Sequence, residues 1–201
     1  SYCMPHGIEK QEHEAILTYE EILRICGCAS EVGIKNIKIT GGEPFVRKDA
    51  IELIKNIKEI PKIEHVTLTT NGVLLEQYID DLKKMQIDGV NVSLDTLNPF
   101  TFSQITGRDE YYKVWNALLK LIESGISTKI NCVPQRGVND HELLDMVELA
   151  INMPVDVRFI EMMPIGYGKE FKTICGEEIY EKIREKYPAV VTMNSKRGYG
   201  P

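Results

Sequence analysis

The sequence predicts an α/β fold in which parallel strands and outer helices form an incomplete barrel. Two observations predict this class. Segments with helical periodicity alternate with short β-rich runs along the 201 residues, which is typical of parallel βαβ units. In addition, each predicted strand is apolar at one parity and polar at the other, whereas strands covered on both faces are usually apolar throughout.

The helices are predicted from apolar periodicity and from residues that start or end a helix. Thr18 and Glu21 have the spacing of a capping box, and Gly33 ends the first helix. The helical segments are 18–33, 48–59, 74–87, 110–124, 140–152 and 176–187. No linker long enough to divide the chain separates them, so the sequence predicts one domain over residues 1–201.

Five β-rich runs lie between these helices, at 36–42, 65–72, 89–95, 128–134 and 155–163. Successive side chains of a strand point to opposite faces, so each run has one apolar face for helices and one polar face. The polar parity includes Lys38, Thr40, Thr67, Thr69, Asn71, Asn91, Ser93, Asp95, Lys129, Asn131, Asp156 and Arg158.

These polar faces can be accommodated in two ways. In a partial barrel they line a cavity suited to a polar, anionic ligand, with its contacts at the C-terminal strand ends. In an open sheet the same face would be solvated, an arrangement that is rare for parallel strands. The sequence favours the cavity.

Composition excludes several classes of protein. A net charge of −6 and a pI near 5.4 argue against a nucleic-acid partner, which requires a basic face. No apolar run approaches the length of a membrane span. Five cysteines at irregular spacing in a chain of this length favour a reduced, cytoplasmic setting.

Five short motifs carry a family resemblance. They are "SYCMP" (1–5), "KITGGEP" (38–44), "LTTNG" (68–72), "NVSLD" (91–95) and "RFIEMMP" (158–164). In this order and spacing the sequence resembles the radical S-adenosylmethionine (SAM) superfamily. With "TGRD" (106–109) and "RGYGP" (197–201), it more narrowly resembles the GTP 3′,8-cyclase family, over essentially the whole chain.

The resemblance implies a [4Fe–4S] cluster that binds SAM. Cys3 corresponds to the third thiolate of the family's Cys-x3-Cys-x2-Cys motif, whose other two cysteines would precede Ser1. A second [4Fe–4S] cluster of the intact protein would follow the "RGYGP" motif. We therefore expect this chain alone to be an inactive fragment. The other four cysteines are interpreted as buried or inert thiols: Cys26, Cys28, Cys132 and Cys175.

The resemblance also assigns binding residues, while no catalytic side chain is assigned. SAM contacts are implied for Tyr2, Gly42, Glu43, Ser93 and Met163. GTP contacts are implied for Lys38, Thr69, Lys129 and Arg158, and three cations suit a triphosphate. The sequence has Asn36 and Lys38 where the family usually has lysine and arginine, which would weaken phosphate binding.

The implied reaction converts GTP to 3′,8-cyclo-7,8-dihydro-GTP in molybdenum-cofactor biosynthesis. It implies an electron donor such as flavodoxin or ferredoxin, and product transfer to a pterin synthase. Exposed apolar edges favour self-association, including a homodimer. Two alternatives stay open: another radical SAM enzyme, such as a peptide-modifying maturase, and a non-catalytic nucleotide-binding barrel.

Overall fold

The computed structural model describes residues 16–163, 168–169 and 171–193, which contain seven α-helices and five strands. The helices are α1 (Tyr19–Glu31), α2 (Ala50–Lys58), α3 (Ile79–Lys84), α4 (Pro99–Thr106), α5 (Tyr111–Glu123), α6 (Leu143–Asn152) and α7 (Gly176–Lys186). The strands are β1 (Asn36–Ile39), β2 (His65–Thr70), β3 (Gly89–Ser93), β4 (Thr128–Cys132) and β5 (Asp156–Phe159).

The strands follow the order β1-β2-β3-β4-β5 in a five-stranded sheet. The pairings of β1 with β2, β2 with β3 and β4 with β5 are parallel, as helical crossovers require. Within the described ranges the order begins with β1 and ends with β5, so the sheet is not closed. The predicted class, α/β with an incomplete barrel of parallel strands, is confirmed.

The predicted alternation of faces is clearest in β2 and β4. In both strands buried residues alternate with partly exposed ones, and Leu68 and Ile130 are fully buried. Strand β3 differs, because Asn91 on its polar parity is also buried, at 6 % exposure. The apolar faces of these strands therefore contribute to the core.

The chain divides into two compact units. The N-terminal unit comprises, of the described residues, the chain up to Val92 together with Lys113–Thr128. The C-terminal unit comprises Ser93–Tyr112 and the chain from Lys129 onward.

Side-chain capping explains where α1 begins. At α1 the predicted capping box is present: Thr18 Oγ1 accepts a hydrogen bond from the N–H of Glu21, and the Glu21 carboxylate accepts one from the N–H of Thr18.

None of the helices in the described ranges is long and apolar enough to cross a membrane.

Two predicted elements need correction, and one helix was not predicted. The segment 74–87 is not one helix but a 3₁₀ turn, Leu75–Tyr78, followed by α3. Helix α4 was missed. Asn98 caps it, Pro99 begins it and Gly107 ends it in a left-handed conformation. These residue types are common at the start and end of helices. Strand β5 ends at Phe159, four residues before the predicted boundary of 163.

A carboxylate at the N-terminal ends of β2 and β3 holds the N-terminal unit together. Asp88 accepts hydrogen bonds from Lys58 Nζ at 2.7 Å and from the N–H of Val66 at 2.8 Å, and it lies 3.1 Å from His65 Nδ1. Burial by itself raises the pKa of Asp88, but these hydrogen bonds outweigh burial and hold the pKa below its usual value.

This depressed pKa predicts acid sensitivity. Because the folded-state pKa lies below that of the unfolded chain, the stabilisation is present above about pH 4 and is lost as the pH falls through the folded-state pKa. Asp88→Asn should therefore destabilise the protein at pH 7, and the difference from wild type should shrink below about pH 4. Urea unfolding of both proteins between about pH 3 and pH 7 measures this difference in free energy of unfolding. A difference that does not change with pH would contradict the prediction.

Candidate functional site

The Gly-Gly-Glu segment lies just after β1. Gly41 has a φ of 148°, a conformation that residues with a Cβ rarely adopt. A Cβ built on Gly41 or Gly42 would meet no heavy atom of the described residues within 4 Å. These residues leave space over the backbone, so a ligand could approach it closely.

Glu43 connects this segment to the end of β2. Its Oε1 accepts hydrogen bonds from Thr70 Oγ1 at 2.8 Å and from the N–H of Phe45 at 3.3 Å, and its Oε2 accepts one from the N–H of Asn71 at 2.7 Å. All three of these donors are uncharged, and the carboxylate is half-buried. Such a group favours a nearby cation.

The polar face of the N-terminal unit carries two of the residues assigned to GTP. Lys38 lies opposite Thr67, and Thr69 lies opposite Asn91. The amide of Asn91 donates to Thr69 Oγ1 at 3.3 Å. Lys38 is exposed on β1, which is at the edge of the sheet within the described ranges. Lys38 and Thr69 thus share one face of neighbouring strands.

The other two GTP residues lie on the corresponding face of the C-terminal unit. Lys129 lies opposite Asp156, and Lys129 Nζ donates to Asp156 Oδ2 at 2.9 Å. Arg158 lies opposite Asn131 and is exposed. Lys129 therefore has a carboxylate partner within the protein, which the sequence interpretation did not recognise.

Ser93, assigned to SAM, stands beside Asn131. The N–H of Leu94 donates to the carbonyl oxygen of Asn131 at 3.0 Å, which sets Ser93 and Asn131 side by side on the polar face. Asn131 Oδ1 is buried and has no hydrogen-bond partner among the described residues. Such orphaned acceptors are rare and costly, so this amide is a further candidate for ligand contact.

A buried polar network fixes the ends of β3 and β4 in the C-terminal unit. Glu142, only 6 % exposed, accepts hydrogen bonds from Thr96 Oγ1 at 2.5 Å and from the N–H of Leu97 at 2.6 Å. Asp95 Oδ1 accepts one from the N–H of Val133 at 2.8 Å. Asn139 Nδ2 donates to the carbonyl oxygen of Asp95 at 2.6 Å. This network holds the segment that follows Ser93.

The segment after β5 carries Met163, whose side chain is 68 % exposed. This exposure excludes the alternative that Met163 merely fills the core of the described structure.

Two residues earlier, Glu161 accepts a hydrogen bond from the N–H of Gly176 at the start of α7. Tyr2 and Cys3, also assigned from the sequence, lie outside the described residues.

The four cysteines of the described residues do not form a metal site. Cys26 and Cys132 are buried, while Cys28 and Cys175 are exposed. Burial raises the pKa of the Cys132 thiol well above its ordinary value, which disfavours the thiolate that metal binding requires. Over the described ranges, no three His, Cys, Asp or Glu side chains are grouped as metal ligands.

Sequence reasoning missed the partners that hold these segments. Thr70 continues the apolar parity of β2 and is buried at 2 % exposure, which in retrospect signals a hydrogen-bonded hydroxyl. Glu142 lies 46 residues from Thr96, and no local pattern links them. Asp156 was placed on the polar parity, but its pairing with Lys129 was not predicted.

Comparison with known proteins identifies the family. The profile described as "Radical SAM superfamily" matches residues 1–150. The GTP 3′,8-cyclase of Desulforamulus reducens is 42 % identical over 205 residues, covering 100 % of this chain and 63 % of that protein. The GTP 3′,8-cyclase of Petrotoga mobilis is 46 % identical over 167 residues, covering 82 % of this chain and 52 % of that protein. The chain thus spans about half to two thirds of these relatives.

Solved structures agree on the fold. Streptococcus suis SuiB bound to S-adenosylmethionine superposes with a TM-score of 0.72 at 21 % identity, over 92 % of this chain and 44 % of that one. HydG, a maturase of the [FeFe]-hydrogenase, superposes with a TM-score of 0.66 at 20 % identity, over 91 % of this chain and 45 % of that one. At such identities the likeness shows the fold alone. The fold and the profile match over three quarters of the sequence place this chain in the radical SAM superfamily.

Proposed function

We propose that the full-length protein carrying this chain is a GTP 3′,8-cyclase, with residues 1–201 as its radical SAM core domain. The observation that carries the proposal is the identity of 42 % to a GTP 3′,8-cyclase over the whole chain. The product would be 3′,8-cyclo-7,8-dihydro-GTP, formed in the cytoplasm and passed to a pterin synthase. Flavodoxin or ferredoxin would donate the electron.

The described residues fit SAM. The backbone at Gly41 and Gly42 admits close approach of the methionine moiety. The Glu43 carboxylate, which accepts hydrogen bonds from three uncharged donors, suits its ammonium group. Ser93 at the end of β3 and the exposed Met163 are available for the nucleoside part. Tyr2 would add a backbone contact.

Cys3 would be one ligand of a SAM-bound [4Fe–4S] cluster, which would supply radical chemistry. The side chains of this chain bind and orient the reactants. Lys38, Lys129 and Arg158 would neutralise the triphosphate, and Thr69 would donate to it. Their binding holds GTP in one pose while the cofactors carry out the reaction.

The test is product formation by the full-length, anaerobically reconstituted protein. With SAM, a reductant and GTP, mass spectrometry should detect 3′,8-cyclo-7,8-dihydro-GTP together with 5′-deoxyadenosine. Less 5′-deoxyadenosine should form when GTP is omitted or is replaced with a peptide. SAM cleavage that responds to peptide and not to GTP would reject the cyclase in favour of a maturase.

A further inference from the structure

The ion pair between Lys129 and Asp156 lies on the face assigned to substrate. The two residues are directly opposite each other on β4 and β5, and Lys129 Nζ lies 2.9 Å from Asp156 Oδ2. The Lys129 side chain is 17 % exposed and that of Asp156 is 43 % exposed. The ammonium is therefore held by a carboxylate at the surface of the strand pair.

This pair has a consequence for any anion that contacts Lys129. An ammonium has three N–H donors, so it can bind a phosphate oxygen while one N–H still reaches Asp156. The phosphate would then lie within a few ångströms of a second negative charge. Two like charges at such a distance repel each other, more strongly near a protein surface than in bulk water.

Asp156 also lowers the net charge of this face. Arg158 follows two residues later on β5, so its side chain points to the same side of the strand. The two cations and one carboxylate of the strand pair sum to +1 instead of +2. A ligand with one phosphate gains little from such a face, while a polyphosphate can also engage the exposed Arg158.

We propose that Asp156 is a specificity-determining residue that fixes the Lys129 ammonium in the free protein and competes with the phosphates of the substrate for it. The inference rests on the proposed function, in which Lys129 contacts GTP. Asp156 thereby weakens binding of anions in general and restricts this face to nucleotides that carry several phosphates.

The test compares Asp156→Asn with wild type in the full-length protein by titration calorimetry. The dissociation constant for GTP should fall about three- to tenfold, because a neutral amide keeps the shape and a contact to Lys129 without the repulsion. The gain should shrink as salt is raised from 50 to 500 mM. Binding of guanosine, which has no phosphate, should be unchanged.

The matched control is Glu185→Gln, which changes the net charge equally at an exposed position of α7 and should leave GTP affinity within about twofold. Thermal unfolding checks that both variants fold. Weaker GTP binding by Asp156→Asn would contradict the proposal that Asp156 competes with phosphate for Lys129. It would show that Asp156 only positions Lys129.

Lys129→Gln separates this inference from the proposed function. If wild type binds GTP and Lys129→Gln weakens GTP binding tenfold or more, the premise that Lys129 contacts GTP holds. If wild type binds GTP and Lys129→Gln does not change the affinity, the inference about Asp156 fails while the cyclase proposal stands. If wild type does not bind GTP at all, the proposed function itself fails.

Discussion

Glu43→Gln should weaken SAM binding by the full-length protein by about 100-fold. The substitution keeps the shape of the side chain but removes the negative charge and turns one acceptor into a donor. That donor would face Thr70 Oγ1 or the N–H of Asn71, which now donate to the carboxylate at 2.8 and 2.7 Å. Hydrogen bonds to a charged group contribute about 1.5–3 kcal/mol each.

Two comparisons separate the charge from the local structure. Thr70→Val removes one donor and keeps the charge, so we expect a loss of about tenfold. Glu52→Gln, an exposed acid on α2 of the same unit, should have no effect. Calorimetric titration of the reconstituted protein with SAM measures all three, and wild-type affinity in Glu43→Gln would show that the carboxylate has no part in binding.

Glu142→Ala should lower the free energy of unfolding by about 3 kcal/mol. It removes a buried acceptor and leaves Thr96 Oγ1 and the N–H of Leu97 without their partners, at a site where Thr96 is fully buried. Each buried donor left unpaired costs about 1–3 kcal/mol, and the truncated side chain adds a cavity.

Urea unfolding of the full-length protein measures this loss. Glu142→Gln keeps the volume and one carbonyl acceptor, so it should cost about half as much. Glu185→Ala, at an exposed position of α7, should change stability by less than about 0.5 kcal/mol. A Glu142→Ala variant as stable as wild type would mean that water replaces the carboxylate as acceptor.

Much of the fold could be predicted because its causes are local. The alternation of apolar and polar residues in β2 and β4 reappears as alternating burial, and the capping box at Thr18 forms as expected. Helix α4 had equally clear local signals in Asn98, Pro99 and Gly107. No element was predicted for this segment, which begins after the motif "NVSLD" (91–95) and ends in "TGRD" (106–109).

The partners at the site could not be predicted because they are distant in sequence. Thr70 reaches Glu43 across 27 residues, and Lys129 reaches Asp156 across another 27. Such pairs depend on strand register, which a periodic pattern does not give for separate strands. The sequence placed Lys129 and Asp156 on the polar parity of their strands, while the contact between them required the structure.

The carboxylates that follow β1, β3 and β5 each tie their segment to another part of the same unit. Glu43, Asp95 and Glu161 each accept a hydrogen bond from a backbone N–H of another segment in the same unit: Asn71, Val133 and Gly176 respectively. Segments tied in this way lose their conformational freedom when the protein folds. Less entropy then remains to be lost when a cofactor or nucleotide arrives, so affinity there can come from few direct contacts.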